Sequence, residues 1–288
     1  MTSGPAGSDR ERLRELVAEV GLDEIAPDLM RLVRASGVGV LGGPTLDGEA
    51  RSRLGGHPDL PASEGWPGWT AGQLSFIGQL RVDDLAQIDD DGLLPQQGLL
   101  SFFYDTVEQP WGLEPADAAG SRVFWFDRLD GLSRRECPKG VPLVTEHTVQ
   151  FRTVPSLPSW ESHEFQRLCD RSVYDLLRSG DGSTVDRFID LLLRVDREFE
   201  VPDTCHRALG FGDQIQGDLH LEADRAVGAE RHDLGGECDR DWRLLLQVDS
   251  DNDLNTSWGD VGRIYWFVDT NVPLPARFEA SPVVLQCA

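Results

Sequence analysis

His206 is the side chain best suited to proton transfer near neutral pH. Asp213 and Gln216 follow it on a loop-like stretch, so a carboxylate could poise the imidazole as a catalytic acid or base, with Gln216 a candidate for binding the ligand. The plainer alternative is a histidine hydrogen-bonded to backbone, fixing the glycine loop beside it. A second candidate is the acidic loop 249–260. Asp249, Asp251 and Asp253 offer oxygens at alternating positions, and Asp260 falls where an EF-hand places its last ligand, so a divalent cation could be held there. Against this, Leu254 stands where the sharp turn requires glycine, and the flanks read as strands; an Asx-rich turn accounts for the same residues. Trp258 and Asp260 could offer a ring face and a carboxylate to a cationic group. They could equally fill the core and cap a turn. Gln79 and Gln247 occupy matching places near the ends of two strands. Buried amides there are expected to bridge backbone across an internal axis, where a ligand could also use them.

Other chemistries have thinner support. Cys205, His206, His220, His232 and Cys238 have the ligand types for zinc but no tight ligand spacing. No cysteine has a base partner visible in sequence, and the phosphate-loop, serine-hydrolase and zinc-protease motifs are absent. No cofactor is expected beyond a divalent cation.

The elements that must position these residues begin with two helical segments. Residues 9–20 carry Leu13, Leu16, Val17 and Val20 on one stripe, and residues 23–35 carry Ile25, Leu29, Leu32 and Val33 on another. Gly21 fits the residue just past a helix end. From Ser36 the chain reads as short strands broken by Gly and Pro, with strands also over 121–127 and 147–154. An internal repeat stands out. Leu74 to Leu80, then Gly98 to Asp105, parallels Trp242 to Val248, then Gly262 to Asp269. Each copy is an apolar strand with a Gln, an acidic loop, then Gly-x-apolar-x-aromatic-Phe-x-Asp. Upstream, Arg51-x-x-Leu54-Gly55-Gly56 parallels His206-x-x-Leu209-Gly210-Phe211. Helical spacing returns over 161–179 and 184–195, with Ser183 as N-cap, and residues 155–158 read as a hinge. Residues 221–240 read as a charged surface excursion. The resulting expectation is an α+β fold, internally duplicated, with mainly antiparallel sheets and N-terminal and central helices. A flexible tail (1–8) precedes one domain (9–288), made of halves at about 36–155 and 200–288 with a helical insert at 159–197.

Several strings resemble the YwqG-like family of bacterial proteins, a domain of unknown function. They are Leu54-Gly55-Gly56 with Pro61 and Trp66-Pro67, Gln79-Leu80, and Gly98-Leu99-Leu100-Ser101-Phe102-Phe103. In the second half they are Leu209-Gly210-Phe211 after His206, Gln216, Leu245 to Asp251, and Trp258-Gly259-Asp260-x-Gly262. The likeness runs over roughly residues 9–285 and implies a duplicated α+β fold without an established activity.

Composition narrows the function. The chain has 288 residues, 40% of them hydrophobic, which is enough for a real core. A net charge of -23 argues against binding nucleic acid or an anionic membrane surface, and favours a basic protein or a small cationic or peptide ligand. No apolar stretch marks a signal peptide or a membrane span, and five scattered cysteines suit a reducing cytoplasm. The leading expectation is a cytoplasmic ligand- or protein-binding module, in one form immunity-like. The alternatives are an enzyme using His206 and Asp213 in a cleft between the halves, and a divalent-metal-binding module.

Overall fold

The computed structural model describes residues 7–44, 50–163, 165, 183–228 and 240–288. Helix α1 (Gly7–Glu19) buries Leu13, Leu16 and Val17. It ends as its pattern predicts. Gly21, at φ 72°, lets Leu22 N–H reach the carbonyl of Val17 while its own N–H reaches Ala18. Helix α2 (Ala26–Leu32) is shorter than its apolar stripe suggested. Val33 is extended and residues 34 and 35 already belong to the first strand. A full antiparallel ladder is the stronger partner for that backbone than one more helical turn. Helix α3 (Ser183–Glu198) packs with α1 and α2 around Phe165, Phe188 and Leu191. The expected helix over 161–179 lies largely outside the described residues. Helix α4 (Leu219–Ala226) replaces the start of the expected charged excursion. The Asp218 carboxylate caps it by accepting the His220 and Leu221 N–H groups. Residues 229–239 lie outside the described residues.

Fourteen strands follow in chain order: β1 (Arg34–Leu41), β2 (Arg53–Leu54), β3 (Asp59–Pro61), β4 (Gly68–Trp69), β5 (Gly72–Gln73), β6 (Ser75–Arg81), β7 (Leu99–Tyr104), β8 (Ser121–Phe126), β9 (Leu132–Arg134), β10 (His147–Ser156), β11 (Arg207–Ala208), β12 (Trp242–Asp249), β13 (Arg263–Asp269) and β14 (Val283–Gln286). Ten of them form one antiparallel sheet in the order β14-β13-β12-β11-β1-β10-β2-β6-β7-β8. The long strands β1 and β10 pair along eight residues at its centre, from Arg34 opposite Ser156 to Leu41 opposite Val149. Pro155 therefore sits within a strand, opposite Ala35, and is not part of a hinge. On each side of the centre lies an arm: β2-β6-β7-β8 on one, β11-β12-β13-β14 on the other. Each arm has a register shift in its longest pair, between Phe76 and Gly78 in one and between Leu244 and Leu246 in the other. Such bulges sharpen the local twist.

The sheet curls until its arms face each other as a nearly closed barrel. Leu100, Phe102 and Tyr104 on β7 meet Ile264, Trp266 and Val268 on β13 in a single core. The Phe102 and Trp266 rings lie edge to face at 5.3 Å, and Tyr104 packs edge-on to both Trp266 and Trp258. Trp266 Nε1 on β13 donates to Ser121 Oγ on β8 at 2.8 Å, tying one arm to the other. Alternate residues point outward, where each arm has its own cover. Phe76 and Phe103 pack under Trp66 and Trp69, whereas Tyr265 and Phe267 pack under α4. Both strand faces are thus buried, which explains the near-continuous apolar runs of β7 and β13. No described helix is long and apolar enough to cross a membrane.

Truncating the seam should be costly. Phe102→Ala, at a position with no exposure, is expected to lose about 3–5 kcal/mol in urea denaturation. Val107→Ala, on an exposed side chain, should change stability by less than about 0.5 kcal/mol.

Candidate functional site

Strands β2 and β11 are only two residues long, so ladder bonds alone hold them weakly. Each carries an arginine that compensates. In the first arm Arg53 pairs with Asp59 at 2.7 Å. Gln79 on β6 joins them: its Oε1 accepts the Asp59 N–H, and its Nε2 donates to the Asp59 carboxylate and to the Arg51 carbonyl. In the second arm Arg207 grips both oxygens of Asp213, at 3.0 and 2.8 Å. Gln247 on β12 accepts the Asp213 N–H and donates to the Asp213 carboxylate and the Cys205 carbonyl. We call each set a latch. Gln79 and Gln247 therefore bridge backbone, as expected, but each does so inside its own arm and not across an axis.

The two latches differ in cover. The first is sealed. Strands β3 and β9 pair over it with Asp59 opposite Arg134, and Arg53 and Asp59 are both buried. Burial pushes the Arg53 guanidinium below its ordinary pKa, and Arg134 nearby adds to that. The second latch opens onto a cleft of about 240 Å³. Its walls are the end of β10 with Leu157, the loop from Phe211 to Gln214, and Leu192, Val195 and Asp196 of α3. Burial alone would raise the Asp213 carboxyl, but Arg207 and the Gln247 amide outweigh it and hold it below the usual carboxylate range. The Asp213 carbonyl is also taken, by Tyr265 Oη at 2.7 Å and Arg263 Nη1 at 3.1 Å. Asp196 is different. Its backbone carbonyl accepts the Val201 N–H at 2.8 Å, but its carboxylate makes no hydrogen bond or close ion pair with a described residue. Desolvation followed by the charge of Asp213 raises its carboxyl pKa, against the charges of Arg207 and Arg263.

The residues singled out in the sequence divide accordingly. His206 and Asp213 do not meet. His206 is buried; its Nδ1 accepts the Asp249 N–H at 3.2 Å and its Nε2 pairs with Asp251 Oδ2 at 3.0 Å. That network places the proton on Nε2 and leaves neither nitrogen open to a substrate. The acid–base pair read from the sequence thus separates into two structural partnerships, His206 with Asp251 and Asp213 with Arg207. Gln216 lends its backbone to Gln286, whose Oε1 accepts the Ile215 and Gln216 N–H groups. Trp258 is buried against Tyr104, so its ring offers no stacking face, and it makes no joint site with the exposed Asp260.

The four carboxylates considered for a cation are likewise committed or apart. Asp249 Oδ2 accepts from Cys205 N–H and Arg263 Nε, both at 3.0 Å. Asp251 Oδ1 accepts the Asp253 N–H at 2.7 Å, an Asx turn, and the His206 bond holds the Asp251 carboxyl below its ordinary pKa. Among the described residues no three His, Cys, Asp or Glu side chains gather as a metal site. Of the thiol and imidazole set, Cys205 is buried and its pKa is pushed up to about 12, while His220 packs edge-on to Phe267. His232 and Cys238 lie outside the described residues.

Residues 52–287 match a domain family described as a domain of unknown function, DUF1963. The chain belongs to the DUF1963 family. The matched span opens one residue before Arg53 and closes one residue after Gln286, so it contains the Arg, Asp and Gln side chains of both latches. No curated protein matches this DUF1963 chain. Arg53, Asp59 and Arg207 carry the latches, yet residue type alone does not single them out in the sequence. A signal was present, because each arginine precedes its aspartate by the same spacing, Arg-x5-Asp.

Two measurements follow from this geometry. Arg53→Met strands a buried carboxylate and should cost about 3–5 kcal/mol, whereas Arg207→Met leaves Asp213 facing the cleft and its water and should cost about 1–3 kcal/mol. Denaturant titration of the two variants gives the comparison. The second concerns Glu222, which accepts from Gln286 Nε2 at 2.8 Å. Burial, with Asp218 adding to it against Arg225, pushes its carboxyl from 4.5 up to about 7. An acid whose pKa rises on folding favours the folded state most when protonated. Its contribution is therefore complete below about pH 4.5 and disappears as pH rises through about 7. Between pH 5 and 8 the wild type should lose about 1–3 kcal/mol relative to Glu222→Gln, read from paired denaturation midpoints.

Proposed function

We propose that this DUF1963 chain is a binding protein whose small ligand occupies the cleft over the Arg207–Asp213 pair. The observation that carries this reading is the contrast between the latches. The same three side-chain types recur with the same glutamine bonds, yet one set is sealed by the β3–β9 ribbon and the other faces an open cleft of about 240 Å³. A volume just under that of drug-sized pockets suits a small molecule. The seam between the arms is filled by aromatic rings, so it supports no ligand site of its own.

The reading includes an internal duplication. Beyond the latches, Gly39 N–H bonds to the His206 carbonyl at 2.8 Å, and Val149 N–H bonds to the Ser52 carbonyl at 3.2 Å. Arg81 N–H bonds to Ser52 Oγ as Asp249 N–H bonds to His206 Nδ1. The correspondence that aligns these bonds matches Ser52, and not Arg51, with His206, and Arg53 with Arg207. It also moves β10 from the first half to the second. Each copy's first long strand then pairs with the other copy's short one, β1 with β11 and β10 with β2. The YwqG-like strings fall on these strands and loops, which supports placing the chain in that bacterial group.

Leu192→Trp should plug the cleft. A small-fragment screen by ligand-observed NMR is expected to return ligands that saturate the wild type and fail to bind Leu192→Trp, with both proteins equally stable. Hits that bind the plugged variant unchanged would refute the proposal.

A further inference from the structure

The cleft also carries information about the chemistry of its occupant, and this inference rests on the binding reading above. The charges at its floor are spent. Arg207 and Asp213 neutralise each other through two hydrogen bonds, and Arg207 Nη1 turns to Ser36 Oγ at 3.5 Å. Arg263 is held by Asp249 and by the Asp213 carbonyl. The walls contributed by Leu157, Leu192, Val195 and Phe211 are apolar, Ser156, Ser159 and Gln214 add uncharged polar groups, and Arg34 lies over the Phe211 ring at 4.6 Å. One formal charge of the lining is thus left without a partner among the described residues, the carboxylate of Asp196. It stands on α3, one residue after the buried Val195 and in the same wall as Leu192. A carboxylate beside apolar walls is matched by a cation attached to a compact apolar body.

We propose that the cleft binds a small organic amine, its ammonium group on the Asp196 carboxylate and its hydrocarbon part against Leu157, Leu192, Val195 and Phe211. An anion is repelled by Asp196, and among the described residues the nearby cations Arg207 and Arg263 are already engaged by Asp213 and Asp249. A neutral alcohol of the same shape gains the apolar contact but leaves the carboxylate without a countercharge. Acid should weaken the association, because protonating Asp196 removes its charge, and added salt should weaken it too.

The test uses three isosteric probes, benzylamine, benzyl alcohol and benzoate, titrated into the full chain by calorimetry and ligand-observed NMR. Benzylamine should saturate and bind at least about tenfold more tightly than the other two. Asp196→Asn should reduce benzylamine affinity at least about tenfold, leave the weak alcohol binding unchanged, and leave the melting temperature within error, since Asp196 supports no other side chain. If all three probes bind alike, and Asp196→Asn binds as wild type while Leu192→Trp binds none, the amine assignment is wrong and the cleft remains a site of another class. If no probe distinguishes wild type from Leu192→Trp, the cleft reading falls together with the amine.

Discussion

An arginine on a two-residue strand, an aspartate six positions later and a glutamine from the adjacent strand occur together in both arms of the sheet. The glutamine is central to what the set achieves. Its oxygen takes the aspartate's N–H, and its nitrogen takes both the aspartate's carboxylate and a carbonyl two residues before the arginine. One amide thereby pins both ends of a nine-residue loop to a long strand. A buried ion pair by itself is a weak source of stability, since desolvation offsets most of the attraction. Its value here is positional. A slip of one residue in β2 or β11 would tear three hydrogen bonds and turn an apolar side chain outward, so register is strongly specified where the ladder is shortest.

Everything else in the sheet is arranged around those fixed points. Phe102, Tyr104 and Trp266 of the long strands, with Trp258 from the loop between β12 and β13, form a closely packed aromatic seam. That packing explains why an opening appears at a flank of the sheet and not at its centre. Ring-on-ring contact between the arms leaves no volume to occupy, while among the described residues no second ribbon lies over the loop after Arg207. From the helical cluster of α1, α2 and α3, α3 offers one apolar edge and one carboxylate to the gap.

Much of the sheet was legible in the sequence. The runs 74–80, 98–105, 242–248 and 262–269 all lie in or next to paired strands, because glycine punctuation and two-sided apolar content leave few other options. Gly21 was legible for the same local reason. The ends of α2 and β10 were not, because long-range pairing of β1 with β10 decided them and helical spacing in residues 23–35 could not reveal it. Among candidate site residues, Gln79 and Gln247 were recognised as backbone bridges. His206 drew attention through its type, yet its partner lies 45 residues away at Asp251. Asp196 escaped notice because a solvent-side carboxylate on an amphipathic helix has no distinguishing pattern until the opposing wall is known.

The order of strands has a consequence for synthesis. Strand β1 is flanked by β10 and β11, segments that leave the ribosome more than one hundred residues later. Until they emerge, an early-made strand with two bare hydrogen-bonding edges waits in the nascent chain. Closing contacts of such separation is slow and leaves sticky backbone exposed. Glycines at positions 37 and 39 of that strand, with little side chain to present, make the waiting segment a poor template for clustering with neighbours, a kinetic safeguard written into its middle.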